Sequence, residues 1–165
     1  PGGRAGRGGS RAGAVWRGVG TGWPAGELRA RTAAASVPGT LDAGLTRIVQ
    51  DADPSLPTVP PMRVSEMVRY RYQVNVDGNA APWEGTYWKL RSGGLTIWVG
   101  AAWEQWVDPL PYCLPCGRPE DLPAAVEWAR AHQAEARALA DRARAFAEAE
   151  HGAALARTRD VLHCK

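Results

Sequence analysis

Tyr70–Trp106 reads YRYQVNVDGNAAPWEGTYWKLRSGGLTIWVGAAWEQW. Its opening residues alternate: Val74 and Val76 fall on one side, Gln73, Asn75 and Asp77 on the other. A two-residue period marks a strand, and it predicts one over Tyr70–Val76. Asp77-Gly78-Asn79 is a turn tripeptide. A helix is expected next, from Trp83 to Leu90, and Ser92-Gly93-Gly94 breaks it. Leu95–Val99 then makes a second strand. Strand, turn, helix, turn, strand is a βαβ unit, and such units bind ligands at the carboxyl ends of their strands. Asp77–Ala81 is therefore the first place to seek chemistry.

Upstream, Ala14-Val15-Trp16 reads as a short buried strand, followed by the glycine-rich loop Arg17-Gly18-Val19-Gly20-Thr21-Gly22. Glycines let backbone N–H groups approach an anion, and a helix start adds partial positive charge. The loop lacks Gly-Lys-Ser/Thr and lacks G-x-G-x-x-G, so a phosphate cradle and a tight turn both stand as readings. A helix is predicted over Glu27–Ala35, before Pro38-Gly39, and another short strand over Leu41–Leu45. Four prolines between residues 51 and 61 exclude regular structure there. Ser65 is placed as the N-cap of a short helix reaching Val68.

Downstream, Val107–Tyr112 is a proline-broken connection, and Tyr112–Leu114 is the expected last strand. Asp121 starts a helix with Pro123 in its first turn, where proline is tolerated. The remainder is alanine-rich and helical. Val126 and Ala129 share one face; Leu139, Ala143 and Phe146 recur at helical spacing. Arg137 with Asp141 and Arg144 with Glu148 are spaced to pair. Gly152 is expected to separate a final helix, Ala153–Leu162. Of eight tryptophans, Trp16, Trp88, Trp98 and Trp128 are assigned to the core, while Trp83, Trp103 and Trp106 either pack or line a cleft.

A chain of 165 residues holds one domain with a real core. Twenty basic against seventeen acidic residues, net +3, do not make a nucleic-acid binder. No apolar run has the length of a membrane span. Pro1 begins the chain without an initiator Met or a signal peptide, which leads us to expect a fragment. Pro1–Gly13 has no apolar periodicity and reads as a disordered tail; a flexible tail is favoured over an RNA-binding Gly/Arg arm, because no aromatics are interleaved. Cys113 and Cys116 form one C-x-x-C, half of a structural zinc set, and Leu114-Pro115 between them argues for extended chain. With Cys164 they read as ordinary thiols, and no metal site is expected.

These segments resemble glycosyltransferase family 90, the Rumi-like protein O-glucosyltransferases and capsule-associated glycosyltransferases. Val15-Trp16-Arg17-Gly18 with Thr21-Gly22 is similar to the family's WRG-x-x-TG, Leu41–Thr46 to its LDAGLT, and Tyr70–Ala81 to its YKYxxNVDGNAA. Tyr87-Trp88-Lys89-Leu90 with Ser92-Gly93, Trp103–Trp106, and Glu120-Asp121-Leu122 with Val126–Ala129 continue the match in order, over about Ala14–Ala149. The resemblance implies an α/β, Rossmann-like half of a GT-B glycosyltransferase, a parallel sheet flanked by helices, with a helical C-terminal extension. On this division residues 1–13 are the tail, 14–150 the donor-binding domain and 151–165 a C-terminal helix.

It implies further that a UDP-sugar is the donor, held without cofactor or metal. Glucose or xylose passes with inversion to a hydroxyl of a protein or glycan. The expected donor residues are Arg17, Gly18, Thr21, Gly22, Arg29, Asp77, Gly78, Asn79, Ala80 and Ala81. Asp77 has an equal reading as a turn-capping residue. The chain departs from the pattern at Glu84, where relatives carry a basic residue, and at Val19, where a small hydroxyl residue is common. The family's catalytic Asp belongs to the acceptor half, so no catalytic residue is assigned in this chain and turnover by it alone is not expected. Family members work mostly in the ER or Golgi lumen. The alternative is a non-catalytic nucleotide-sugar or glycan-binding module.

Overall fold

The computed structural model describes the backbone of residues 11–22, 26–50, 52–79, 83–100 and 108–163, and the side chains of all of these except 83, 84 and 152–163. The strands are β1 (Arg11–Gly20), β2 (Leu41–Ile48), β3 (Tyr70–Val76), β4 (Leu95–Val99) and β5 (Leu114–Cys116). The helices are α1 (Glu27–Ala34), α2 (Val64–Met67), α3 (Trp83–Arg91), α4 (Leu122–Ala131) and α5 (Gln133–His163). All strand pairs are parallel, in the order β2-β1-β3-β4-β5. Parallel neighbours need crossovers, and α1, α2 and α3 lie within those that join β1 through β4. The chain is α/β and Rossmann-like. β2 lies to one side of β1 and β3 to the other, so the winding reverses between β1 and β3. In an open sheet that reversal leaves a crevice at the strand ends.

Both faces of the sheet are covered, but with different chemistry. On one face Ala14, Trp16, Leu41, Ala43, Leu45, Tyr72, Val74, Val76, Leu95, Ile97 and Val99 form one apolar cluster. It is closed by α1, by Leu122, Val126 and Ala129 of α4, and by Ala136 at the start of α5. Each fully buried aliphatic side chain here contributes about 1.5–3 kcal/mol. The alternation turns Gln73, Asn75, Thr96 and Trp98 to the other face, where all four are buried. There α3 packs on the sheet, and Leu90, Trp98 and Cys113 meet Ala143 and Ala147 of α5. The polar side of the Tyr70–Val76 alternation thus lies under α3 rather than in solvent.

Several sequence expectations shift. β1 begins at Arg11, inside the segment assigned to a tail. Arg11 N–H donates to Arg69 O (2.9 Å) and its guanidinium to the Tyr70 hydroxyl (2.7 Å). β1 also continues through Gly20, because Gly18 pairs with Leu45 and Gly20 with Ile48 of β2; only Thr21 and Gly22 of the expected loop follow the strand. Arg63, not Ser65, precedes the first turn of α2, with its N–H bonded to Glu66 Oε2 (3.0 Å). The last strand starts two residues late, since Tyr112 closes a 3-10 turn. α5 runs unbroken past Gly152; one glycine costs about 1 kcal/mol against alanine, too little to stop an alanine-rich helix. Trp128, two residues after buried Val126, lies on the outer side of α4, 39% exposed and stacked on His132. The expected pairs Arg137–Asp141 and Arg144–Glu148 both form. Cys113 and Cys116 are free, buried and in different clusters. Residues 1–10, Trp103, Trp106, Cys164 and the side chain of Trp83 fall outside the described residues. No described helix is long and apolar enough to cross a membrane.

Candidate donor site

The two turns singled out in the sequence meet at the reversal between β1 and β3. Gly22 has φ +121, and a Cβ on it would sit 3.3 Å from Gly78 Cα, so the backbones of the two turns touch. A Cβ on Gly78 would come 2.6 Å from Arg29 Nη2 and 3.0 Å from Thr21 Oγ1. Glycine at both positions is what lets the turns close on each other around one guanidinium.

That guanidinium comes from α1. Arg29 Nε donates to Asp77 O (3.0 Å), Nη1 to Val19 O (3.1 Å) and Thr21 Oγ1 (2.7 Å), and Nη2 to Val76 O (3.3 Å). A planar fork with five N–H groups suits acceptors from two strand ends at once. Burial pulls the Arg29 pKa down, with the Asp77 charge opposing that shift. Asp77 is itself buried, and its Oδ1 accepts from Trp98 Nε1 (3.0 Å). The carboxylate therefore ties β3 to β4 while its own carbonyl holds Arg29.

Arg17 points to the polar face of the sheet. It donates to Trp16 O and Asp42 O (2.9 Å each) and forms an ion pair with Asp42 Oδ1 (2.7 Å). Asp42 Oδ2 accepts from the Tyr70 hydroxyl (2.7 Å), which accepts in turn from Arg11. Burial opposes charge on Asp42, but the hydrogen bonds from Tyr70 and Arg17 and the charges of Arg17 and Arg11 prevail and hold its pKa below the ordinary range. The positive charge of Arg17 is thus matched within the fold.

Beside these groups opens a cleft of about 410 Å³, within the range of small-molecule sites. Arg17, Gly18, Val19 and Val76 form its floor, Met62 and Met67 one wall, and Gly85, Trp88 and Lys89 of α3 the other; Arg29 reaches it from the strand ends. Among the described residues lining it there is no Asp, Glu or His. Lys89 is buried and donates to Asn75 Oδ1 (2.7 Å), whose Nδ2 donates to Thr86 Oγ1 (3.0 Å). A larger groove, about 580 Å³, lies at the amino ends of β3 and β4 between Arg71, Gly93 and the alanines of α4 and α5. With Arg71, Gln133 and Arg137 also line it, but it lies at the opposite ends of the strands from the two glycine turns.

Of the expected donor residues, the structure brings together Arg17, Gly18, Thr21, Gly22, Arg29, Asp77 and Gly78. Asn79 is exposed just beyond Gly78. Ala80, Ala81 and the side chain of Glu84 lie outside the described residues. Asn75 and Thr86 were absent from the expected set, and Lys89 entered it only as one of the cations, with Arg17 and Arg91, that would offset Glu84 beside a pyrophosphate. Their signal was faint: a lysine inside a helix facing the polar side of a strand. Among the described residues no three His, Cys, Asp or Glu side chains gather as a metal site.

A comparison with protein families matches residues 10–153 to the model described as Glycosyl transferase family 90. No curated protein matches the chain. The matched span runs through every strand of the sheet and includes both turns that meet over Arg29. The chain belongs to glycosyl transferase family 90.

Proposed function

We propose that the cleft beside the carboxyl ends of β1 and β3 holds a UDP-sugar, and that the chain is the donor half of an inverting, metal-independent GT-B glycosyltransferase. The sugar, a hexose or pentose, passes to a hydroxyl of a protein or glycan. The observation that carries this reading is the meeting of Thr21-Gly22 with Gly78 over Arg29, in a chain of this family. When the glycosidic bond breaks, negative charge grows on the diphosphate, and fixed donors aimed at it lower the barrier. Arg29, with four of its five N–H groups held by the fold, supplies a fixed positive charge there without reorganisation. Backbone N–H groups of the two glycine turns add to it. Arg17 contributes less than Arg29, because Asp42 already balances its charge. No residue of this cleft is assigned as the base that takes the acceptor hydroxyl proton; the described residues that line it carry no carboxylate or imidazole.

Titration with UDP, followed by tryptophan fluorescence or calorimetry, tests the proposal. Saturable binding that Arg29→Ala weakens at least ten-fold (about 1.4 kcal/mol) and Arg137→Ala leaves unchanged supports it. Failure of the wild-type chain to saturate at millimolar UDP sinks it.

A further inference from the structure

Lysine is nearly absent from this chain. Eighteen of the twenty Lys and Arg residues are Arg; the lysines are Lys89 and Lys165. Lys89 sits in the last turn of α3, its side chain turned under the helix onto the polar face of the sheet, and it is only 6% exposed. An ammonium has three N–H donors and no acceptor. Among the described residues one of the three is used, by Asn75 Oδ1 at 2.7 Å, and the Trp88 ring lies 5.4 Å from Nζ. Asn75 is fixed in that sense: its amide Nδ2 points to Thr86 Oγ1, which leaves only the oxygen for Lys89. A neutral amide does not balance a buried cation, and no described carboxylate lies within ion-pair distance of Nζ. A leucine or methionine would fill the same volume without that cost.

The cleft explains the charge. Lys89 lines it from α3, together with Arg29 and Arg17. We propose that Lys89 is a proton-linked anion ligand of this cleft: its ammonium meets the diphosphate of the bound donor from the α3 side, and donor binding favours the protonated form of that side chain. This rests on the donor reading above and adds to it a residue and a pH response. Arginine could not serve, because it stays charged; a lysine can lose its proton in an empty, buried site and regain it when an anion arrives.

The surroundings agree. Burial first, and then the charge of Arg29, pull the Lys89 pKa down to about 7, with Cys113 opposing weakly. The Cys113 thiol, just before β5, is pushed up to about 12, chiefly by its own burial, and is neutral at working pH. Asp77 at the end of β3 accepts from Trp98, and Arg17 on β1 is paired with Asp42. α2 presents Met67 to the cleft, and α5 packs through Ala143, Ala147 and Phe146. On α3 itself the side chain of Glu84 is outside the described set.

UDP-glucose is the probe, because its diphosphate is substituted at both ends, whereas the terminal phosphate of free UDP titrates near pH 6. Lysine-selective isotope labelling gives two side-chain signals, from Lys89 and Lys165. The Lys89 signal is expected to titrate near neutrality in the free protein and above about pH 8 with UDP-glucose bound. Wild-type affinity is expected to be roughly ten-fold higher near pH 6 than near pH 8.5. Lys89→Met should bind roughly ten-fold more weakly near pH 6 and lose the pH response, while Lys89→Arg should bind equally at both pH values. Identical free and bound Lys89 titrations, or equal UDP-glucose affinity in wild type and Lys89→Met near pH 6, overturn the inference and leave the donor reading standing. A wild type that does not saturate with UDP-glucose at any pH overturns both. The wild-type titration decides alone if Lys89→Met does not fold.

Discussion

The two faces of the sheet are built from alternate residues of the same strands, yet they do different work. Under α1 and α4 the face is a continuous apolar layer, Trp16 to Val99, closed by Leu122 and Val126. Under α2 and α3 it carries Arg17, Gln73, Asn75, Asp77, Thr96 and Lys89, all with little exposure. Among the described residues every buried side-chain atom without a partner lies on this second face: Arg17 Nε, Gln73 Oε1 and Thr96 Oγ1. An apolar layer gains free energy from each side chain it excludes from water. A buried polar layer gains little and loses much when any partner is missing. The comparison teaches that apolar burial is concentrated on one side of the sheet and buried hydrogen bonding on the other.

The contrast can be broken most sharply from the apolar side. Leu122→Ala removes a fully buried side chain between α4 and the sheet and is expected to cost about 3 kcal/mol in urea unfolding. The folded fraction should bind UDP as the wild type does; a proportional loss of affinity would show that the faces are not separable. At the strand ends, Arg29→Ala removes the guanidinium that joins the carbonyls of Val19, Val76 and Asp77 and is expected to cost about 1–3 kcal/mol, together with the loss of UDP binding. Arg29→Lys should not rescue binding, because one ammonium cannot span acceptors on two strands.

The Lys89 prediction needs its sign worked out. Its folded pKa is about 7, below the ordinary lysine value of 10.5. Between those values the unfolded chain holds the proton more often than the native one. Stability therefore rises with pH across that window, on the order of 1 kcal/mol from about pH 7 to 9. Lys89→Met should lack that rise; an unchanged slope in the variant would mean that other groups produce it. The smallest effect is expected at Arg137→Ala, which removes an exposed i,i+4 pair on α5 and should move Tm by less than about 1 °C.

Much of the apolar face was legible in the sequence, because it depends on local periodicity. The Tyr70–Val76 alternation, the breaks at Asp77-Gly78-Asn79 and Ser92-Gly93-Gly94, and the pattern of Val126 and Ala129 each report on near neighbours alone. β1 was misjudged at both ends for the same reason. Gly18 and Gly20 look like a loop to any local rule, but β2 holds them extended, and Arg11 is strand only because Tyr70 lies beside it. The polar face was least legible. That Arg17 would meet Asp42 follows from the β1–β2 register, in which Asp42 pairs with Val15. That Lys89 would be buried follows from how α3 lies on β3, and neither fact is written within ten residues of either side chain. The glycine turns were expected to belong to one donor site; their contact at Gly22 and Gly78 needed the strand order.

The two thiols of the C-x-x-C have a consequence for folding in a cell. Successive positions in an extended segment point to alternate sides, so Cys113 and Cys116, three apart, enter different clusters on opposite faces. They cannot close on each other without dismantling both. Burial also keeps Cys113 as an unreactive thiol rather than a thiolate. The fold around Cys113 and Cys116 therefore does not depend on a disulfide between them and should form alike in reducing and oxidising surroundings.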